Sequence, residues 1–189
     1  MVVNKFLKKG EEFAYIRRYK PEIAKAVPKF FDSVNTNGEF QGHSLIAKGN
    51  KFYCDGECFG YAMTLATAQD LKGTSFSKVT TILFDEFLIE EGQKKYYLKN
   101  EVETFLGLVE TLARMRDIRI FMLANPGNIY TNPYFLYFDL SVPYNNDIKT
   151  FKDGLILVQY MKNEEYREAK RNTKFRKVDC WNFFWGFCN

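Results

Sequence analysis

The sequence predicts an α/β layer fold, and three observations carry it. Val79–Phe84 (VTTILF) is an unbroken β-branched, aliphatic and aromatic run, the pattern of a strand buried on both faces of a parallel sheet. Asp117–Asn125 (DIRIFMLAN) is a second buried-type run. Between them, Asn100–Arg116 carries Val102, Phe105, Leu106, Val109 and Leu112 at helical spacing, so strand, helix and strand alternate.

The remaining elements follow in order. Met1–Lys9 reads as a helix stopped by Gly10. Glu12–Arg18 reads as a strand ended by Lys20-Pro21. Glu22–Val34 has helical spacing with a kink expected at Pro28. Ser44–Ala47 is a short strand, and Lys51–Cys54 and Glu57–Met63 flank Asp55-Gly56, a strong hairpin signal. Asn132-Pro133 opens a turn before the aromatic stretch Tyr134–Leu140. Leu155–Tyr160 reads as a strand, and Asn163–Arg171 as a charged helix.

Composition narrows the function classes. The 189 residues are 46% apolar and 26% charged, globular values that exclude wholesale disorder. No stretch approaches the ~20 apolar residues that span a bilayer, so no membrane partner is expected. The net charge of +4 permits contact with a polyanion without demanding one. Four cysteines form no CxxC pair and His43 is the single histidine, so zinc or cysteine–histidine chemistry has little support; Cys54 and Cys58 are expected to pack.

The informative constellation is Thr80–Phe87 (TTILFDEF). An apolar strand ending in Asp85-Glu86 puts two carboxylates at the carboxyl edge of an α/β sheet, where ligands bind. In a nucleotide hydrolase the first such carboxylate holds Mg²⁺ through its water shell and the second orients the attacking water. The alternative is that the pair simply begins a solvated loop. A second strand ends in Asn125, whose polar side chain would lie beside the acidic pair. Arg114 and Arg116 close the intervening helix, either complementing its dipole or reaching a neighbouring subunit's nucleotide.

Five blocks then carry a resemblance: FAYIRRYKPE (Phe13–Glu22), KFYCDGECFGYAM (Lys51–Met63), TTILFDEF, NEVETFLGLVETLAR (Asn100–Arg114) and NPYFLYFDL (Asn132–Leu140). In this order they resemble the DNA-encapsidation ATPases of small short-tailed phages. The resemblance implies a RecA-like sheet of the P-loop NTPase class with flanking helices and an inserted β-hairpin. It implies ATP and Mg²⁺ as cofactors, with Asp85 on Mg²⁺ through water, Glu86 as catalytic glutamate and Arg114 as the trans-acting arginine. Arg116 competes for that last role. It also implies Asn125 as the residue coupling to nucleotide state. Arg17 and Arg18 match a paired-arginine block with four candidate partners: phosphate, DNA, a neighbouring subunit or surface carboxylates.

The implied function is a motor ATPase that translocates double-stranded DNA into a prohead. It would act as a homo-oligomeric ring at the portal, with packaging RNA as a further partner, in the host cytoplasm and transiently on the prohead. Two departures qualify it: the family's P-loop is missing, and the likeness stops near Phe175 or Arg176, where the family continues into a further domain. No G-x-x-x-x-G-K-[ST] string occurs, and Lys72-Gly73-Thr74-Ser75 has Lys and Gly in the wrong order. The expectation is a partial ATPase domain over residues 1–177 that lacks the P-loop strand and hydrolyses ATP weakly or not at all alone, then a divergent apolar tail over residues 178–189. The outer edge of the Ile118–Leu123 strand would then be unpaired. The alternative from another class is a non-catalytic module contacting nucleic acid or sister subunits through Arg17, Arg18 and the basic run Lys162–Lys177.

Overall fold

The computed structural model describes residues 1–90, 92, 94–125, 129, 131–143 and 148–160. At its centre is β1 (Glu12–Arg17), buried on both faces from Phe13 onward. β1 pairs in parallel with β4 (Glu57–Thr64) on one side and β5 (Val79–Asp85) on the other. β6 (Arg119–Leu123) continues in parallel beyond β5. At the opposite end β3 (Lys51–Cys54) and β2 (Leu45–Lys48) add antiparallel ladders, giving the order β2-β3-β4-β1-β5-β6. The Asp55-Gly56 hairpin forms as expected, both residues at positive φ, as its tight turn requires.

Alternation along β1 sorts the core into two layers. Phe13 and Tyr15 join Ile23, Val27, Phe31, Phe52 and Phe59, the cluster beneath α1 (Val2–Lys9) and α2 (Lys20–Ala26). Ala14 and Ile16 join Ile82, Phe84, Phe105, Leu108 and Tyr134, the cluster beneath α4 (Glu101–Ala113) and α5 (Pro133–Phe138). Each fully buried Phe or Ile stabilises the fold by about 1.5–3 kcal/mol. Packing is close enough that a Cβ on Gly60 would lie 2.2 Å from a carbon of the Phe13 ring.

Several elements differ from expectation. The helix read over Glu22–Val34 is three pieces: α2, a 3₁₀ turn over Val27–Lys29 with Pro28 near its start, and α3 (Asp32–Thr36). Pro28 lacks the N–H that would continue the helix. α4 ends at Ala113, one turn early, because Arg114 and Met115 turn left-handed. The buried-type reading of Asp117–Asn125 is corrected: β6 pairs only with β5 among the described residues, and Ile120 and Leu123 are 37% and 51% exposed. The Tyr134–Leu140 stretch forms the short helix α5, whose N-terminal N–H groups of Tyr134 and Phe135 donate to the Asn132 side chain.

The chain divides into two units, Met1–Asp139 and Leu140–Asn189. In the second, β7 (Ile148–Phe151) pairs antiparallel with β8 (Ile156–Gln159). The Asn163–Arg171 helix, the basic run and the apolar tail lie outside the described residues. No described helix is long and apolar enough to cross a membrane.

Candidate functional site

The site forms where β1 and β5 run out together. Their register pairs Ile16 with Phe84, so the next step brings Arg17 beside Asp85. Parity places Tyr15 and Arg17 on the same face as Asp85. Asp85 Oδ2 accepts from the Tyr15 hydroxyl at 2.8 Å and from Arg17 Nη1 at 2.7 Å. The other Arg17 nitrogen, Nη2, lies 3.0 Å from Glu86 Oε1. One guanidinium thus bridges both carboxylates. Burial disfavours that cation, but Tyr15, Asp85 and Glu86 outweigh burial and push its pKa up. Burial, and then Asp85, push the Tyr15 phenol up, so it remains a proton donor at neutral pH.

Glu86 sits at φ 53°, a left-handed backbone uncommon outside glycine. Its N–H donates to Asp85 Oδ1 at 3.1 Å. Its carbonyl accepts from Arg18 Nη1 at 3.2 Å, and the next carbonyl, Phe87, accepts from Arg18 Nη2 at 2.8 Å. Strain held in place by surrounding bonds is characteristic of functional turns. The Asp85 and Glu86 side chains keep 35% and 41% of their surface in solvent, so the pair faces an open rim.

Arg18 turns the other way, into the α4 layer, and is 1% exposed, so it is no surface ion pair. Its Nε and Nη2 donate to the two oxygens of Glu101, each at 2.8 Å. Glu101 also accepts from the Leu98 N–H and the Tyr134 hydroxyl. The guanidinium lies 5.0 Å from the Tyr97 ring centre and 5.8 Å from that of Phe84. Arg18 therefore locks the turn that carries Glu86 onto the start of α4.

A cleft of about 440 Å³ opens beside the pair, lined in part by Arg17, Glu22, Lys25, Glu86, Lys94 and Lys95. Lys95, which the sequence did not single out, lies 2.7 Å from Glu22 and 3.3 Å from Glu86. Burial alone would lower the Lys95 pKa, yet the two carboxylates raise it.

The other predicted residues are spread along the sheet. Asn125 lies just past β6, whose Leu123 pairs with Asp85, on the same rim as the acidic pair. Its Nδ2 donates to Glu90 Oε1 at 2.7 Å. Arg114 and Arg116 sit at the opposite, amino edge. α4 starts at the Arg18–Glu101 pair and its 13 residues carry the chain about 20 Å away. Arg114 is exposed and donates to the Thr74 carbonyl. Arg116 donates to four carbonyls, those of Phe76, Ser77, Val79 and Leu112. Of the two, Arg114 is the less committed within the chain. Tyr15 could have been found from strand parity; Lys95, on an irregular loop, carried no signal.

These features define an α/β domain with a carboxylate pair at the carboxyl rim of a central parallel strand. The profile of the Podovirus DNA encapsidation protein (Gp16) family matches residues 1–182, and the chain belongs to that family. It is 38% identical over 177 residues to the DNA packaging proteins of Bacillus phages PZA and phi29, an alignment covering 93% of this chain and 51% of each relative. The chain thus spans about half the length of these curated relatives. Its fold is similar to the crystal structure of the N-terminal domain of the DNA packaging ATPase from bacteriophage phi29. That match has a TM-score of 0.74 and 38% identity, and covers 87% of this chain and 81% of that one. A chain of the phi29 viral genome packaging motor assembly matches with a TM-score of 0.73 and 36% identity, over 94% of this chain and 54% of that one.

Proposed function

We propose that this chain supplies the carboxylate half of an ATP-hydrolysing site in a motor that drives double-stranded DNA into a phage prohead. The observation that carries the proposal is Asp85-Glu86 on a left-handed turn at the carboxyl rim of β5, with Arg17 bridging the pair. Hard carboxylate oxygens suit Mg²⁺, and their exposure leaves room for its water shell. Both Asp85 oxygens already accept hydrogen bonds; Asp85 would hold the ion through its water shell once Arg17 yielded. Mg²⁺ would supply charge neutralisation for a nucleotide triphosphate. Glu86 then polarises the attacking water, and Asn125, on the same rim, responds to nucleotide state.

Arg114, displaced to the other edge, cannot serve its own carboxylates. Its position suits action on the phosphoryl group of an adjacent subunit in a ring. The order β1-β5-β6 supports reading the sheet as RecA-like, with the phosphate-loop strand beside β6. Portal, prohead and packaging RNA are the further partners of this reading, and the host cytoplasm its location.

A second reading has specific support. Arg17 and Lys95 already neutralise the acidic pair, with the Tyr15 hydroxyl donating to Asp85, and these 189 residues contain no G-x-x-x-x-G-K-[ST] string. A non-catalytic module contacting nucleic acid or sister subunits fits both facts. Titration of the chain with Mg-ATP separates the two. Saturable binding that requires Mg²⁺ and disappears in Asp85→Ala supports the motor. Salt-sensitive DNA binding without nucleotide binding supports the module.

A further inference from the structure

A second cluster of ligand-type side chains lies away from the carboxylate rim. The antiparallel register pairs Leu45 of β2 with Cys54 of β3, so the residues just before Leu45 run beside the Asp55-Gly56 turn. Two backbone-level bonds fix that closure: the Asp55 N–H donates to the Ser44 carbonyl at 2.9 Å, and the Ser44 N–H donates to Asp55 Oδ1 at 2.8 Å. His43 is thereby delivered to Asp55, with Nδ1 2.7 Å from Oδ2. Cys54 adds its sulfur 3.9 Å from the same oxygen. The turn joins the end of β3 to the start of β4, which runs parallel to β1, so this cluster sits at the amino edge of the sheet.

We propose that His43, Cys54 and Asp55 form a binding site for a zinc-class divalent transition ion. One nitrogen, one sulfur and one carboxylate oxygen lie within 4.8 Å of one another. A tetrahedral zinc ion holds such donors about 3.4–3.6 Å apart. The observed 2.7 Å and 3.9 Å separations straddle that range. Shifts of the exposed His43 and Asp55 side chains toward the sulfur of buried Cys54 close the set. The ion takes the place of the Nδ1 proton, which solvent relays to Nε2, so the ring binds as the neutral Nε2–H tautomer. The Cys54 thiol loses its proton to solvent as the metal–sulfur bond forms. Soft sulfur with imidazole selects a zinc-class ion over Mg²⁺ or Ca²⁺. The His43 and Asp55 side chains are 38% and 47% exposed, so water completes the fourth position.

The sequence hid this site because its donors follow no CxxC spacing: only the hairpin register brings His43 back to residues 54 and 55. The site is separate from the nucleotide reading, and its occupancy would staple the β2–β3–β4 meander. Calorimetric titration of the chain with Zn²⁺ tests it, alongside the absorption spectrum with Co²⁺. One ion per chain and a thiolate-to-cobalt charge-transfer band are expected. His43→Gln, Cys54→Ser and Asp55→Asn should each weaken Zn²⁺ at least about tenfold, the scale set by losing even a group behind a ligand. Cys58→Ser, whose sulfur contacts the Gly60 carbonyl instead, should leave binding unchanged. Circular dichroism of each metal-free variant checks folding. Absence of Zn²⁺ binding by the native chain, unchanged affinity in all three ligand variants, or loss of binding in Cys58→Ser would overturn the proposal.

Discussion

Replacing Arg18 by Met should cost about 3–5 kcal/mol, the range for breaking one partner of a buried ion pair. Arg18 and Glu101 are 1% and 2% exposed, so water cannot take over the lost role. The substitution removes two charged hydrogen bonds to Glu101 and leaves the Glu86 and Phe87 carbonyls without their donor. Methionine fills similar volume, which limits any cavity contribution. At ~2–4 °C per kcal/mol for a chain of this size, the melting temperature should fall by about 6–20 °C. Urea unfolding followed by circular dichroism measures the cost directly. Adding Glu101→Gln should recover part of it, because the amide still accepts from the Leu98 N–H while the uncompensated charge is gone. A cost below about 1 kcal/mol for Arg18→Met, or strict additivity within ~0.5 kcal/mol in the double variant, would refute the assignment of Arg18 as the lock on this turn.

Three further outcomes follow from the same packing and hydrogen bonding. Gly60→Ala should destabilise by about 1–3 kcal/mol or more, since the new methyl meets the Phe13 ring at 2.2 Å; a denaturation midpoint equal to that of the parent chain would contradict the packing described. Asn132→Ala should cost about 0.5–2 kcal/mol by uncapping α5, with a further loss from its bond to the Tyr97 hydroxyl, both read from urea unfolding. Burial pushes the Glu22 carboxyl up, but Lys95 and the Tyr19 N–H outweigh it and hold its pKa below the ordinary 4.5. A depressed carboxylate contributes stability that is complete above that ordinary value and is lost as pH falls through the folded one. Glu22→Gln should therefore flatten the acid limb below about pH 4.5 in a stability-against-pH series, and an unchanged limb would show that Glu22 carries none of it.

The strongly patterned parts of the fold were legible because burial dictates their composition. β1, β5, the Asp55-Gly56 hairpin and the start of α4 lie close to where their residues predict, as does the glycine stop after Lys9. β6 misled because an apolar run states only that a strand avoids water, not which neighbour covers it. The acidic pair was legible at the end of β5, since a sudden change from apolar to charged marks the sheet rim. Its partners were not. Lys95 lies on a loop without periodicity, and Glu101 reads as an ordinary acidic residue at a helix start until Arg18 is found against it.

The adjacent arginines show what separates sequence from site. Arg17 and Arg18 are chemically identical, and their block leaves the same four candidate partners open for both. One step along a strand reverses the face on which a side chain stands. With Ile16 opposite Phe84, that reversal sends Arg17 to the carboxylates at the rim and Arg18 through the sheet to Glu101 on α4. On the proposed function, Arg17 is the cation that would have to release Asp85 for a metal ion to approach, while Arg18 is a buried strut that holds the Glu86 backbone. The division depends on register rather than residue type. Exchanging their chemistry separately should separate their effects: Arg17→Gln should change Mg²⁺ affinity and cost less stability than Arg18→Gln, because its partner carboxylates keep 35% and 41% of their surface in solvent, while Arg18→Gln should leave Mg²⁺ affinity nearly unchanged. Equal stability losses in the two variants would show that parity does not divide their roles.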